Sequence, residues 1–222
     1  MTPAARQGLG VGVAVGAYGL SCGALGVAAG LSVWQTMATS LLLFSGASQF
    51  ALFGVLAGGG SPVAAVATSS LLGIRNAFYG LQLSRMLAVR GVRRLAAAHL
   101  TIDESTAVAV AQEDRDEQRT GFWVTGLAVF ALWNLMTLVG ALAGNAMGDP
   151  RRYGLDAAAA AAFVALLWPR LRGRDPLATA ALAVVLTVVV APLAPAGVPV
   201  LVAGLAALAV GLPRRAPRGV AG

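Results

Sequence analysis

The chain has no lysine, one cysteine, one histidine and little charge of either sign. Without lysine there is no Gly-Lys-Ser/Thr phosphate loop and no Schiff-base amine. ATP binding by this chain is therefore not expected. Cys22 and His99 each stand alone, so neither a disulfide within the chain nor a Cys/His zinc cluster can form. Cys22 reads as a small packing residue. No charged residue lies between Arg6 and Arg75. All 16 basic residues are arginines, set against 9 acidic ones, and most cluster in short stretches between apolar runs. They read as topology determinants and not as a nucleic-acid surface, which needs a basic face on a soluble domain. Buried pairs of catalytic carboxylates or histidines are missing. No catalytic residue, metal or cofactor is assigned, and the chain is not read as an enzyme.

What is present is apolar. The chain is 58% hydrophobic and 11% charged, with a mean hydropathy of +0.77. This composition places it among all-α polytopic membrane proteins, as a bundle of about six to seven apolar segments. They fall at 8–30, 33–57, 62–87, 121–144, 154–168, 176–192 and 197–212. Residues 92–112 read as a further helix, partly buried or re-entrant. The chain is taken as one membrane domain, 1–222, with an N-terminal tail at 1–7, a charged surface loop at 113–120 and a C-terminal tail at 213–222. The glycine-rich first segment is too long for a signal-peptide core, so no cleavage is expected.

The arginines suggest orientation. Arg85, Arg90, Arg93 and Arg94 put the end of 62–87 in the cytoplasm, and Arg214, Arg215 and Arg218 do the same for the C-terminus. Two schemes stay open. In one, the first three segments all span and the N-terminus is outside. In the other, the N-terminus is inside and 33–57 is re-entrant. In both, 121–144 runs outward.

Three patterns carry functional information. Residues Ser45, Gly46, Ala47, Ser48 and Gln49 interrupt the apolar run 37–57. Lipid cannot hydrogen-bond a loosened backbone, so such a break survives only inside protein or beside a watery cavity. In the first segment Gly12, Gly19 and Gly26 recur every seven residues, as do Gly16, Gly23 and Gly30. They draw one stripe for close helix packing, in this chain or on a partner. Arg75 lies near the centre of 62–87, where an arginine costs about 2.5–3.5 kcal/mol and so needs a partner or cavity. Tyr79 and Gln82 share its helix face; Asn76 is offset from it. Arg75 can pair with Asp103 or Glu104, or with a ligand carboxylate, and an exchange between the two would couple binding to movement. Asp103 and Glu104 can also carry a coupling proton. Tyr18 faces either the same cavity or an interface. Asn134 reads as a helix–helix hydrogen bond.

Together, residues 10–32, FSGASQFALFGVL at 44–56, LLGIRNAFYGLQLS at 71–84 and TIDESTAVA at 101–109 resemble the AzlC family, the large subunit of two-component branched-chain amino-acid exporters. The resemblance covers the first half of the chain. The family's usual Asn-Leu-Arg-His reads Gly73-Ile74-Arg75-Asn76 here, so Arg75 and Tyr79 carry over while the amide and imidazole do not. The resemblance implies a multi-pass protein of the bacterial plasma (inner) membrane that works with a small hydrophobic AzlD-type subunit. It also implies proton-driven export of valine, leucine, isoleucine or methionine. On this reading Ser45, Gly46, Ala47, Ser48, Gln49, Arg75, Asn76 and Tyr79 bind substrate, Phe44, Phe50 and Phe78 hold its side chain, and Asp103 or Glu104 takes the proton. A channel-like or structural subunit, or a transporter of another small carboxylate, is the alternative.

Overall fold

A computed structural model describes residues 1–146, 164, 167–168, 171–194 and 198–211. These residues are helical, with no strand among them. The helices are α1 (Pro3–Ala28), α2 (Val33–Leu43), α3 (Gly46–Ala57), α4 (Pro62–Leu87), α5 (Val92–His99), α6 (Asp103–Val110), α7 (Arg115–Ala146), α8 (Arg174–Val190) and α9 (Val198–Gly211). Among the described residues, α1 and α7 are long and apolar enough to cross a bilayer. The expected segment 154–168 lies largely outside the described residues, as does the tail 213–222.

Local chemistry sets the boundaries. α1 and α4 each open with a hydroxyl cap followed by proline: Thr2 accepts from Ala5 N–H at 3.2 Å and Ser61 from Ala64 N–H at 3.2 Å. α2 opens with a capping box, in which Ser32 accepts from Gln35 N–H and the Gln35 side chain accepts from Ser32 N–H. The stretch 113–120, read as a loop, instead starts α7. Asp114 accepts from the N–H groups of Asp116 at 2.9 Å and Glu117 at 3.1 Å, and both acids sit in the helix's first turn, where its dipole favours them. The N-terminal tail is likewise shorter than expected. α1 begins at Pro3, and Ala4 is buried.

The glycine stripe finds its neighbour within the chain. Gly8 lies against Thr125, Gly12 against Ala128, Gly16 against Leu132, Gly19 against Trp133 and Gly23 against Thr137. From the other side, Gly140 meets Leu20 and Gly144 meets Ala24. The numbers rise together, so α1 and α7 run parallel, backbone against backbone. A hydrogen bond from Ala4 N–H to Glu117 Oε2, 3.0 Å, pins their starts together. Gly26 packs on Thr36 of α2 instead, and a Cβ on Gly30 would meet nothing. Parallel α1 and α7 overturn the scheme with the N-terminus outside and 121–144 running outward, which sets the two helices antiparallel. The scheme with the N-terminus inside keeps them parallel.

α2 and α6 both lie antiparallel on α7. Ser40 meets Thr137 and Phe44 meets Phe130; Leu100 meets Gly126 and Val108 meets Gly121. The end of α2 and the start of α6 therefore converge halfway along α7. The plan also repeats. α1 and α4 are each 26 residues long, and each leads into a short helix that stops at mid-height and is followed by another. Around this frame the outer faces are apolar: Val13, Phe78, Leu81 and Val188 are exposed. Phe50, Phe53, Leu83 and Phe122 fill the interior.

Candidate functional site

Two helix breaks meet at the centre. In the first, Phe44 ends α2 in the left-handed region (φ 36°), and extended Ser45 precedes α3. The break thus lies at Phe44–Ser45, and Gly46–Gln49, expected to be the irregular part, form the first turn of α3. The Ser45 side chain does not cap that turn but donates to Ser48 Oγ at 3.2 Å. The first N–H groups of α3 have no acceptor within the helix, and the positive end of its dipole points the same way. In the second break, Leu100, Thr101 and Ile102 separate α5 from α6. Ser105 stitches it, accepting from Ile102 N–H at 3.1 Å and donating to Leu100 C=O at 2.6 Å. The two breaks touch: the Phe44 ring lies 5.7 Å from His99 and 4.9 Å, edge-on, from Phe130.

Between the breaks is a cavity of about 330 Å³. Its polar side is formed by Ser45, Gly46 and Ala47 of α3, Arg75 of α4, and Asp103 and Glu104 of α6. Its apolar side is formed by Phe44, Phe50, Val129 and Trp133, with Val15, Tyr18 and Ile102 completing the lining. Arg75 Nη2 pairs with Asp103 Oδ2 at 3.0 Å, their side chains 29% and 22% exposed. The pair is thus neither sealed in the core nor fully solvated. Arg75 Nε is buried and has no acceptor. The guanidinium therefore has one edge engaged and a donor to spare.

The expected site residues separate into two groups. Ser45, Gly46, Ala47, Arg75, Asp103 and Glu104 converge on the cavity, and Tyr18, Phe44 and Phe50 join them. Ser48 and Gln49 are fully buried behind it. Gln49 is a positioning residue: its Oε1 accepts from Trp133 Nε1 at 3.0 Å, which holds the indole perpendicular to Phe50. Asn76 and Tyr79 are not among the lining residues: Asn76 is offset by about 100° around α4, and Tyr79, on the Arg75 face, lies about 6 Å further along the helix. Phe78 is exposed on the outer surface and lines nothing. Asn134 donates to Phe130 C=O in its own helix, 2.8 Å away. Trp133 and Val129 were missed because in sequence they are ordinary members of an apolar run.

The AzlC protein family model matches residues 10–147, which span both breaks and all of this cavity. The chain belongs to the AzlC family. An uncharacterized membrane protein of Archaeoglobus fulgidus is 32% identical over 154 residues, covering 68% of this chain and 67% of that protein. No solved structure matches the chain. As an AzlC protein with apolar helices long enough to cross a bilayer, it is a helical membrane protein of a transport-related family.

Proposed function

We propose that this AzlC protein is the membrane subunit of a secondary exporter of branched-chain amino acids: valine, leucine, isoleucine and, by similar shape, methionine. The observation that carries the reading is the two-sided central cavity. A zwitterion with an apolar side chain needs an anion site, a cation site and an apolar wall close together. Here the α3 N-terminus and Arg75 supply the first, Asp103 and Glu104 the second, and Phe44, Phe50 and Trp133 the third. The volume lies at the small end of ligand pockets, roughly 300–1,000 Å³. Asp103 and Glu104 either hold the substrate's ammonium or take a proton, and this alternation is the coupling step that proton-driven export requires. The chain is not an enzyme in this scheme.

The protein passes the plasma membrane several times and works beside a small AzlD-type subunit. Its N-terminus is cytoplasmic, with Arg6, Arg85, Arg90, Arg93, Arg94, Arg115 and Arg119 on that side, as the positive-inside rule favours. The test is efflux from cells loaded with leucine-, valine- and methionine-containing dipeptides, with this chain and the small subunit co-expressed. Protonophore-sensitive efflux that needs both chains is expected. Arg75→Ala should abolish it while the protein still inserts. Wild-type efflux by Arg75→Ala would remove Arg75 from the mechanism.

A further inference from the structure

We infer that a second cavity, between α4 and α5, is an anion-collecting antechamber to the central one and receives small carboxylate-bearing solutes; this rests on the transport reading above. The cavity measures about 560 Å³, with Arg90 and Arg94 at one end and Ala77 and Thr101 at the other. Arginines at a segment end are an ordinary topology signal. Topology does not require two of them to wall a cavity. No acidic residue occurs anywhere before Asp103, so α4, α5 and their connection contribute no neutralising charge. Neither Arg90 nor Arg94 is ion-paired among the described residues.

The two cavities are neighbours along the chain and share no lining residue. On α4 the lining passes from Ala77 in the outer cavity to Arg75 in the central one. On the opposite wall it passes from Thr101 to Ile102. In this proposal the step between them is the Arg75–Asp103 pair, 3.0 Å across. An anion attracted by Arg90 and Arg94 next meets Arg75, whose side chain is 29% exposed. Low-dielectric walls focus the field of the outer arginines and raise the local concentration of a counter-charged solute. Successive modest sites let a solute both enter and leave, as conduction requires.

The test reads charge selectivity inside the cavity and does not depend on transport. Gly80 lines it, and a Cβ there would meet nothing within 4 Å. Gly80→Cys in membranes carrying the full chain is reacted with anionic sulfonatoethyl and cationic trimethylammonioethyl methanethiosulfonates. Each rate is normalised to that of the same reagent with free thiol. The wild-type chain is the blank, since its one thiol, Cys22, is buried. The anionic reagent should react faster on the order of 10-fold. Adding Arg90→Gln and Arg94→Gln should erase the preference, whereas Arg85→Gln and Arg93→Gln, outside the lining, should leave it. Ser84→Cys, also in the lining, repeats the measurement if Gly80→Cys does not accumulate. Equal rates for the two reagents, or a preference that survives loss of Arg90 and Arg94, would overturn the inference. So would Gly80→Cys that reacts only after delipidation, which would mean a phospholipid fills the cavity. Loss of efflux in cells and loss of charge preference here are separate failures.

Discussion

Gly23→Ala and Gly10→Ala make the same chemical change on one helix and should move stability in opposite directions. A Cβ on Gly10 would meet nothing within 4 Å. Replacing that glycine by alanine recovers helix propensity, about 0.8–1 kcal/mol. A Cβ on Gly23 would run into Thr137 C=O and stand 2.6 Å from Ala141 N. Both obstacles are backbone, so no rotamer change relieves them. The nearest relief is to part α1 from α7 by roughly 1.5 Å, since the Thr137 carbonyl is the closer obstacle and the ordinary heavy-atom separation is near 3.5 Å. Overpacking of this kind costs about 1–3 kcal/mol, and an immovable neighbour puts it at the upper end. Net of the propensity gain, Gly23→Ala should lie about 2 kcal/mol below the wild type. Gly140→Ala, which meets Leu20 C=O from the other helix, should match it. Thermal unfolding of the purified protein in detergent, followed by helical circular dichroism, reads the difference at about 2–4 °C per kcal/mol for a chain of this size. Gly23→Ala and Gly10→Ala melting together would refute the parallel α1–α7 packing.

Gln49→Leu strands the buried Trp133 N–H and should cost about 1–3 kcal/mol; in a Trp133→Phe background the same change should be nearly silent, and equal losses in both backgrounds would show that the bond is not what Gln49 contributes. Thr2→Cys, Val92→Cys and Asp116→Cys should all react with an impermeant reagent from the cytoplasmic side, and Gly60→Cys from outside. Val92→Cys labelling from outside would overturn the proposed orientation, because α5–α6 would then cross the membrane.

The sequence reading located α4 to the residue, because a hydroxyl-proline cap at one end and a polar turn at the other bracket its apolar run. It placed the first break within two residues, because Ser45–Gln49 is the longest polar, small-residue interruption in a long apolar stretch. It offered Asp103 or Glu104, or a ligand carboxylate, as the counter-charge to Arg75, because an intramembrane cation demands one, and the pair formed is with Asp103. Residues 92–112 hid two helices, since Leu100–Ile102 holds no glycine or proline to mark a break and the stitching serine, Ser105, looks like any helix N-terminal residue. α7 began earlier than expected because a dense charge run suggests a loop, yet here the same acids cap the helix. The doubled plan of α1–α3 and α4–α6 left almost no trace in residue identity beyond Tyr18-Gly19-Leu20 and Tyr79-Gly80-Leu81. What repeats is backbone geometry.

The pairing of Arg75 with Asp103 has a consequence for how the protein is made. As the chain leaves the ribosome, Arg75 emerges ahead of Asp103, the first acidic residue to follow it. On the proposed topology α4 enters the membrane carrying an unmatched cation, or waits at its edge until α6 arrives. Insertion of these helices is then one joint event, and a chain cut short of Asp103 would expose α4 as an unstable segment for quality control to remove.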